Sequence, residues 1–168
     1  LEAVSADAAI QSRYIRDLAG FPVYRKTRTH SFHVGQELYK EMIAQLQKAE
    51  HFIFMEYFII NDGEMWQGIL DILEEKARMG LDVRLIYDDV GCVNTLPADF
   101  RVRLERCGIR CQVFNPFVPV LSVVLNNRDH RKITVIDGHT AFTGGINLAD
   151  EYINRRERFG YWKDTGVI

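Results

Sequence analysis

No stretch of the 168 residues approaches the ~20 consecutive apolar side chains that a membrane-spanning helix needs. The first residues show no signal-peptide pattern either: no basic start is followed by a short apolar run. Positive charge is also in short supply. The formal net charge is −2 and the pI about 6.2, so no global basic field exists to hold a nucleic acid, and any phosphate recognition must be local. Cysteine is scarce, with only Cys92, Cys107 and Cys111. An odd, unframed set points to a reducing compartment and to buried or half-buried thiols rather than a zinc site. No repeat is visible. The chain starts at Leu1 rather than Met and stops at Ile168 inside a strand-like run, which suggests a piece of a longer protein.

What remains is an ordinary globular composition, 47% hydrophobic and 26% charged, long enough for one domain with a real core. Residues 1–19 form a polar, weakly helical segment, and residues 20–168 form the domain. Within it, 21–32 predicts a short strand and loop. In 35–49, Leu38, Met42, Leu46 and Ala49 recur at helical spacing. "HFIFMEYFII" (51–60) predicts a buried strand, and 64–79 a helix with Trp66, Ile69, Leu70, Leu73 and Ala77 inward and Gly80 at its end. Strands are predicted over 81–89 and 109–114, separated by a helix that starts near Thr95–Pro97 and turns Phe100, Leu104 and Cys107 inward. The alternation predicts an α/β fold: a mixed, mostly parallel sheet flanked by helices, parallel at least over its first strands. "FVPVLSVVL" (117–125) admits two readings, a core-facing loop or short helix, or an apolar lip suited to a lipid beside a site.

The chemistry concentrates in "NRDHRKITVIDGHTAFTGGINLADEY" (127–152). Asp137–Gly138 between two hydrophobic runs predicts a two-residue type I′ hairpin. That turn would set Ile136 opposite His139, Lys132 opposite Thr143 and His130 opposite Gly145. His130, Lys132, Thr134 and Thr143 would share one face, with Asn147 joining them if the strand continues, and Ile133, Val135 and Phe142 would take the other. Gly145 would leave room for a tetrahedral group facing a histidine able to attack phosphorus, with Lys132, Asn147 and glycine N–H groups as donors. Asp137 has the wrong parity for that face and is expected to serve the turn. Taken singly, a strand-start histidine is an ordinary surface or core residue and an edge lysine a guard against aggregation. Their joint spacing is what points to a site.

The pattern His130-x-Lys132-x4-Asp137-x6-Gly144-Gly145-x-Asn147 resembles the HKD motif of the phospholipase D superfamily. "EYFIINDGE", "ARMGLDVRLIYDDVG" and "YWKDTGV" resemble the bacterial cardiolipin synthases within it, and the resemblance spans roughly residues 20–168. It implies a phospholipase D-like domain that needs neither metal nor cofactor. It also implies phosphatidyl transfer through a phosphohistidine, converting two phosphatidylglycerols to cardiolipin and glycerol. His130 would be the nucleophile, Lys132, Asn147 and Gly145 would hold the phosphate, and Asp164 would orient the imidazole. Asp137 and Gly144 would be structural. The implied location is the cytoplasmic side of a bacterial membrane, acting on an anionic phospholipid at its surface, with no nucleic-acid partner. Only one HKD motif is present, because His30, His33, His51 and His139 lack a lysine two residues on. The family's site is built from two, so the chain is expected to be the N-terminal half of a two-motif enzyme or to pair with itself. Two competitors are a single-motif phosphodiesterase, nuclease or phospholipase D acting as a homodimer, and a non-catalytic phospholipid-binding module.

Overall fold

A computed structural model describes residues 5–116 and 127–168. The apolar run 117–125 therefore lies outside the described residues. A first helix, α1 (Ala6–Ala19), is capped by the Ser5 hydroxyl, which accepts from the Ala8 N–H, and is closed by Gly20 at φ 72°. There follow β1 (Ser31–Phe32), α2 (Gly35–Gln47), β2 (Phe52–Tyr57), α3 (Glu64–Arg78) and β3 (Asp82–Asp88). Next come a one-turn helix α4 (Asp89–Cys92), α5 (Phe100–Arg106), β4 (Arg110–Phe114), β5 (Lys132–Ile136), β6 (Thr140–Gly144), a 3-10 turn at Asp150–Ile153 and β7 (Gly166–Val167). Neither α4 nor the 3-10 turn has a counterpart in the sequence reading.

The strands form one seven-stranded sheet in the order β1-β7-β6-β5-β2-β3-β4. It is parallel across β2, β3 and β4 and antiparallel from β5 outward. The parallel part follows from the helical crossovers through α3 and α5, and the tight turn at residues 137–139 sets β5 and β6 antiparallel. One sheet face carries Ile53, Met55, Val83, Leu85, Ile136 and Phe142, all buried in a core with Leu38, Met42 and Leu46 of α2 and Trp66, Ile69 and Leu73 of α3. The opposite face, with Phe52, Phe54, Ile86, Ile133 and Val135, is only half-buried. Cys92 and Cys111 are buried thiols and Cys107 is half-buried. Among the described residues, no helix is long and apolar enough to cross a membrane.

The β5–β6 hairpin corrects the expected register. Asp137 and Gly138 both adopt positive φ, 52° and 72°, and the Ile136 carbonyl accepts from the His139 N–H at 3.3 Å, as a type I′ turn requires. The ladder, however, resumes at Thr140, with Ile136 opposite Thr140, Thr134 opposite Phe142 and Ile133 opposite Thr143. His139 is one extra residue in the returning strand, and a one-residue slip moves each of its side chains to the other face. Phe142 therefore joins Thr134 and Ile136 in the core, and Thr143 is exposed on the opposite face. Thr134 tolerates complete burial because its hydroxyl shares a 2.9 Å hydrogen bond with the Tyr57 hydroxyl.

Candidate active site

The parallel strands end where β5 begins, and the polar residues of the motif gather at that edge of the sheet. His130 is exposed just before β5, its ring packed at 4.7 Å on Phe58, which follows β2. Lys132 is 4% exposed. Its ammonium donates to the His130 carbonyl at 2.6 Å and lies 5.3 Å from the centre of the same Phe58 ring. No carboxylate lies within 4 Å of it among the described residues. Burial lowers the lysine's pKa, and the more distant charges of Asp129 and Asp164 pull the other way. The result is a buried cation with neutral neighbours, next to an accessible imidazole.

Asn147 reaches the site by a different route from the one expected. β6 does not continue to it. The strand ends at Gly144, paired with Gly166 of β7, and the chain crosses so that Leu148 bridges Ile60 in parallel at the end of β2. There the Asn147 amide oxygen accepts from the Ile59 N–H at 2.9 Å, and its nitrogen donates to the Tyr152 hydroxyl at 3.0 Å. One amide N–H remains for a ligand. The gap expected at Gly145 is taken up as well. Its N–H donates to the Thr165 carbonyl at 3.1 Å, and a Cβ built on it would collide with the Asp164 carboxylate. The missing Cβ of Gly145 thus makes room for Asp164. Gly144 has a parallel reason: a Cβ there would strike the Thr165 carbonyl across the ladder. Asp164 itself accepts from the Thr165 N–H at 2.7 Å and lies 3.4 Å from the Trp162 indole nitrogen.

Asp137 stands away from this cluster. Its carboxylate accepts from the N–H groups of Glu50, His51 and Phe52 at 2.8–2.9 Å and so caps the start of β2. Burial alone would raise its pKa, but the three donors prevail and lower it.

Sequence reasoning missed the residues that hold His130 in place. Asp88, fully buried at the end of β3, accepts from the Asp129 N–H at 2.9 Å and pairs with Arg128 at 3.2 Å. Arg128 in turn donates to the Asn115 carbonyl at 3.0 Å. On the other sheet face Arg131 bridges Asp129 at 2.9 Å and Glu56 at 2.5 Å. Burial, together with the neighbouring Asp129, pushes Glu56 up to about 7. Asp129 falls to about 2: burial opposes its charge, but hydrogen bonds from Arg131 and Glu56 outweigh it. The residues either side of His130 are therefore fixed by ion pairs. The only sequence signal for this was the run of alternating charge in "NRDHRK", together with acids inside two apolar strands. Phe58 gave no signal at all among its aromatic neighbours.

This architecture is the phospholipase D-like fold. Nuc from Salmonella typhimurium, a phospholipase D family member, superposes with a TM-score of 0.59 at 16% identity over 83% of this chain and 82% of its own. A phosphatidylserine synthase from Haemophilus influenzae superposes with a TM-score of 0.61 at 18% identity, over 83% of this chain and 33% of its own. Residues 42–159 match the family described as cardiolipin synthase, PLD-like domain. A cardiolipin synthase of Geobacillus kaustophilus is 40% identical over 148 residues, 88% of this chain and 29% of that protein. This chain belongs to the PLD-like domain family of cardiolipin synthases. It spans no more than about a third of the length of the curated relatives it matches.

Proposed function

We propose that the chain supplies one HKD half of a phosphatidyl-transfer site of the cardiolipin synthase type. The observation that carries this is Lys132: a residue 4% exposed whose ammonium meets a carbonyl and an aromatic ring, with no carboxylate within 4 Å among the described residues. A buried charge left this way is costly to the fold and is suited to an anion that arrives from outside. His130 beside it is the nucleophile. One ring nitrogen attacks the phosphodiester phosphorus of phosphatidylglycerol, the bond to glycerol breaks, and a phosphatidyl-histidine forms. The proton that glycerol needs to leave comes from the histidine of the second motif. A second phosphatidylglycerol hydroxyl then gives its proton to the second-motif histidine and attacks phosphorus, the bond from phosphorus to His130 breaks, and cardiolipin forms. Lys132 and the remaining Asn147 N–H hold the phosphate oxygens, and Asp164 accepts the N–H of the other His130 nitrogen.

The second motif belongs to a longer chain in this reading, as the greater length of the relatives suggests. A site shared by two copies is the second reading, favoured by the single His-x-Lys pair in these 168 residues. Labelled phosphatidylglycerol in mixed micelles tests the assignment with a protein that carries both motifs. Cardiolipin should form, and His130→Ala should reduce it by roughly 10³-fold or more. Equal product from the variant would overturn the role given to His130. Sedimentation of the 168-residue chain decides between the readings, because a strict monomer at high concentration removes the shared-site version.

A further inference from the structure

Beside Asp164 the chain makes an excursion that the proposed chemistry does not use. Asn154, at φ 55°, closes it from both directions. Its side-chain oxygen accepts from the Trp162 N–H at 2.7 Å and its nitrogen donates to the Trp162 carbonyl at 2.9 Å. Residues 155–161 bulge from this clamp and carry two outward aromatic rings, Phe159 at 72% and Tyr161 at 70% exposure. Stretch 154–163, "NRRERFGYWK", holds four cations and one acid in a chain whose net charge is −2. Arg158 pairs with Glu151 and Arg155 with Glu64, while Arg156 and Lys163 make no ion pair among the described residues. The clamp is tied to the site: Trp162 packs at 4.7 Å on Tyr152, whose hydroxyl holds Asn147, and its indole nitrogen lies 3.4 Å from Asp164.

We infer that loop 155–163 is the surface by which this chain rests on an anionic bilayer, with Phe159 and Tyr161 in the headgroup region and Arg156 and Lys163 against lipid phosphates. Two large rings held in water beside unpaired cations suit an interface that is apolar on one side and negatively charged on the other. The loop's tie to Asp164 brings the mouth of the site to the lipid headgroups. The inference takes its choice of lipid from the phosphatidyl-transfer reading, but the docking itself needs no turnover.

The test is co-sedimentation of the 168-residue protein with vesicles of phosphatidylcholine alone or mixed equally with phosphatidylglycerol. Trp162 emission is followed in parallel, since Trp66 is 2% exposed and contributes a constant background. Binding should require phosphatidylglycerol and shift the emission to the blue. Phe159→Ser combined with Tyr161→Ser should weaken it roughly tenfold or more. Arg156→Ala with Lys163→Ala should weaken it and flatten its salt dependence. An unchanged melting temperature verifies that each variant is folded, and Phe159→Trp supplies a direct probe whose emission should shift on binding. Wild-type affinity in the serine variant, equal binding to phosphatidylcholine alone, or loss of self-association instead of vesicle binding would each overturn the inference. His130→Ala should bind as wild type. With the two-motif protein and soluble short-chain phosphatidylglycerol, loop variants should keep turnover. Turnover without vesicle binding overturns the docking alone, and binding without turnover overturns the chemistry alone.

Discussion

Asp137 and Lys132 show how differently two letters of one motif can act. The Asp137 carboxylate accepts from three backbone N–H groups at the start of β2. Asp137→Ala should therefore cost about 1–3 kcal/mol in urea unfolding, the scale of hydrogen bonds to a charged group whose donors on exposed Glu50 and His51 pass to water. Lys132 is the reverse case, a charge whose burial opposes folding. Lys132→Met keeps the stem and removes the ammonium, so the melting temperature should not fall, while activity drops by roughly 10²-fold or more. A marked loss of thermal stability would make the ammonium a structural group. Gly145 lies between them in character. Gly145→Ala should force Asp164 out of place, seen as a fall in turnover larger than any fall in stability.

At the level of elements, the helices and the parallel strands were legible because their apolar periods and glycine stops are local signals. The hairpin was legible in its turn but not in its ladder. Asp137–Gly138 announces the φ > 0 pair, yet nothing local announces that His139 enters the strand as an extra residue. The side chains did carry a clue, since Phe142 is the one large apolar residue of β6 and belongs with the core. The misleading signal was burial of polar groups: Lys132 and Thr134 occupy the inner face, and the β-branched Ile133 and Val135 the half-open one. Polar burial depends on partners such as Tyr57, which come from another element and cannot be read from β5. Asn147 escaped for the same reason, because its position depends on a crossover to Ile60. Deleting His139 tests the register. With the extra residue gone, the two-residue Asp137–Gly138 loop should join Ile136 directly to Thr140, so Phe142 should stay in the core and stability should change by less than about 1 kcal/mol in thermal unfolding, whereas lost cooperativity would show that His139 belongs to the ladder.

For the whole molecule, the Glu56–Asp129 pair links stability to pH. Glu56 is raised to about 7 in the fold, so between its ordinary value near 4.5 and 7 the native state holds a proton that the unfolded chain has released. This contribution to stability is present at the acid end of that window and is lost as pH rises through 7. Asp129, lowered to about 2, acts in the opposite sense, and its contribution is lost as pH falls from about 4 toward 2. Glu56→Gln should flatten the melting-temperature profile between pH 5 and 7. An unchanged slope would show that another group sets it.

The carboxylate caps also have a consequence in time. Asp137 closes onto Phe52 and Asp150 closes onto the Met65 N–H at 2.8 Å, each across 85 residues of chain. The first strand of the parallel sheet and the start of α3 are thus completed by side chains from the last fifth of the sequence. Such long loops must close before their contacts contribute, which slows folding. On the ribosome the early half of the chain would emerge with these N–H groups unclaimed and wait, partly formed, for residues 137 and 150 to follow.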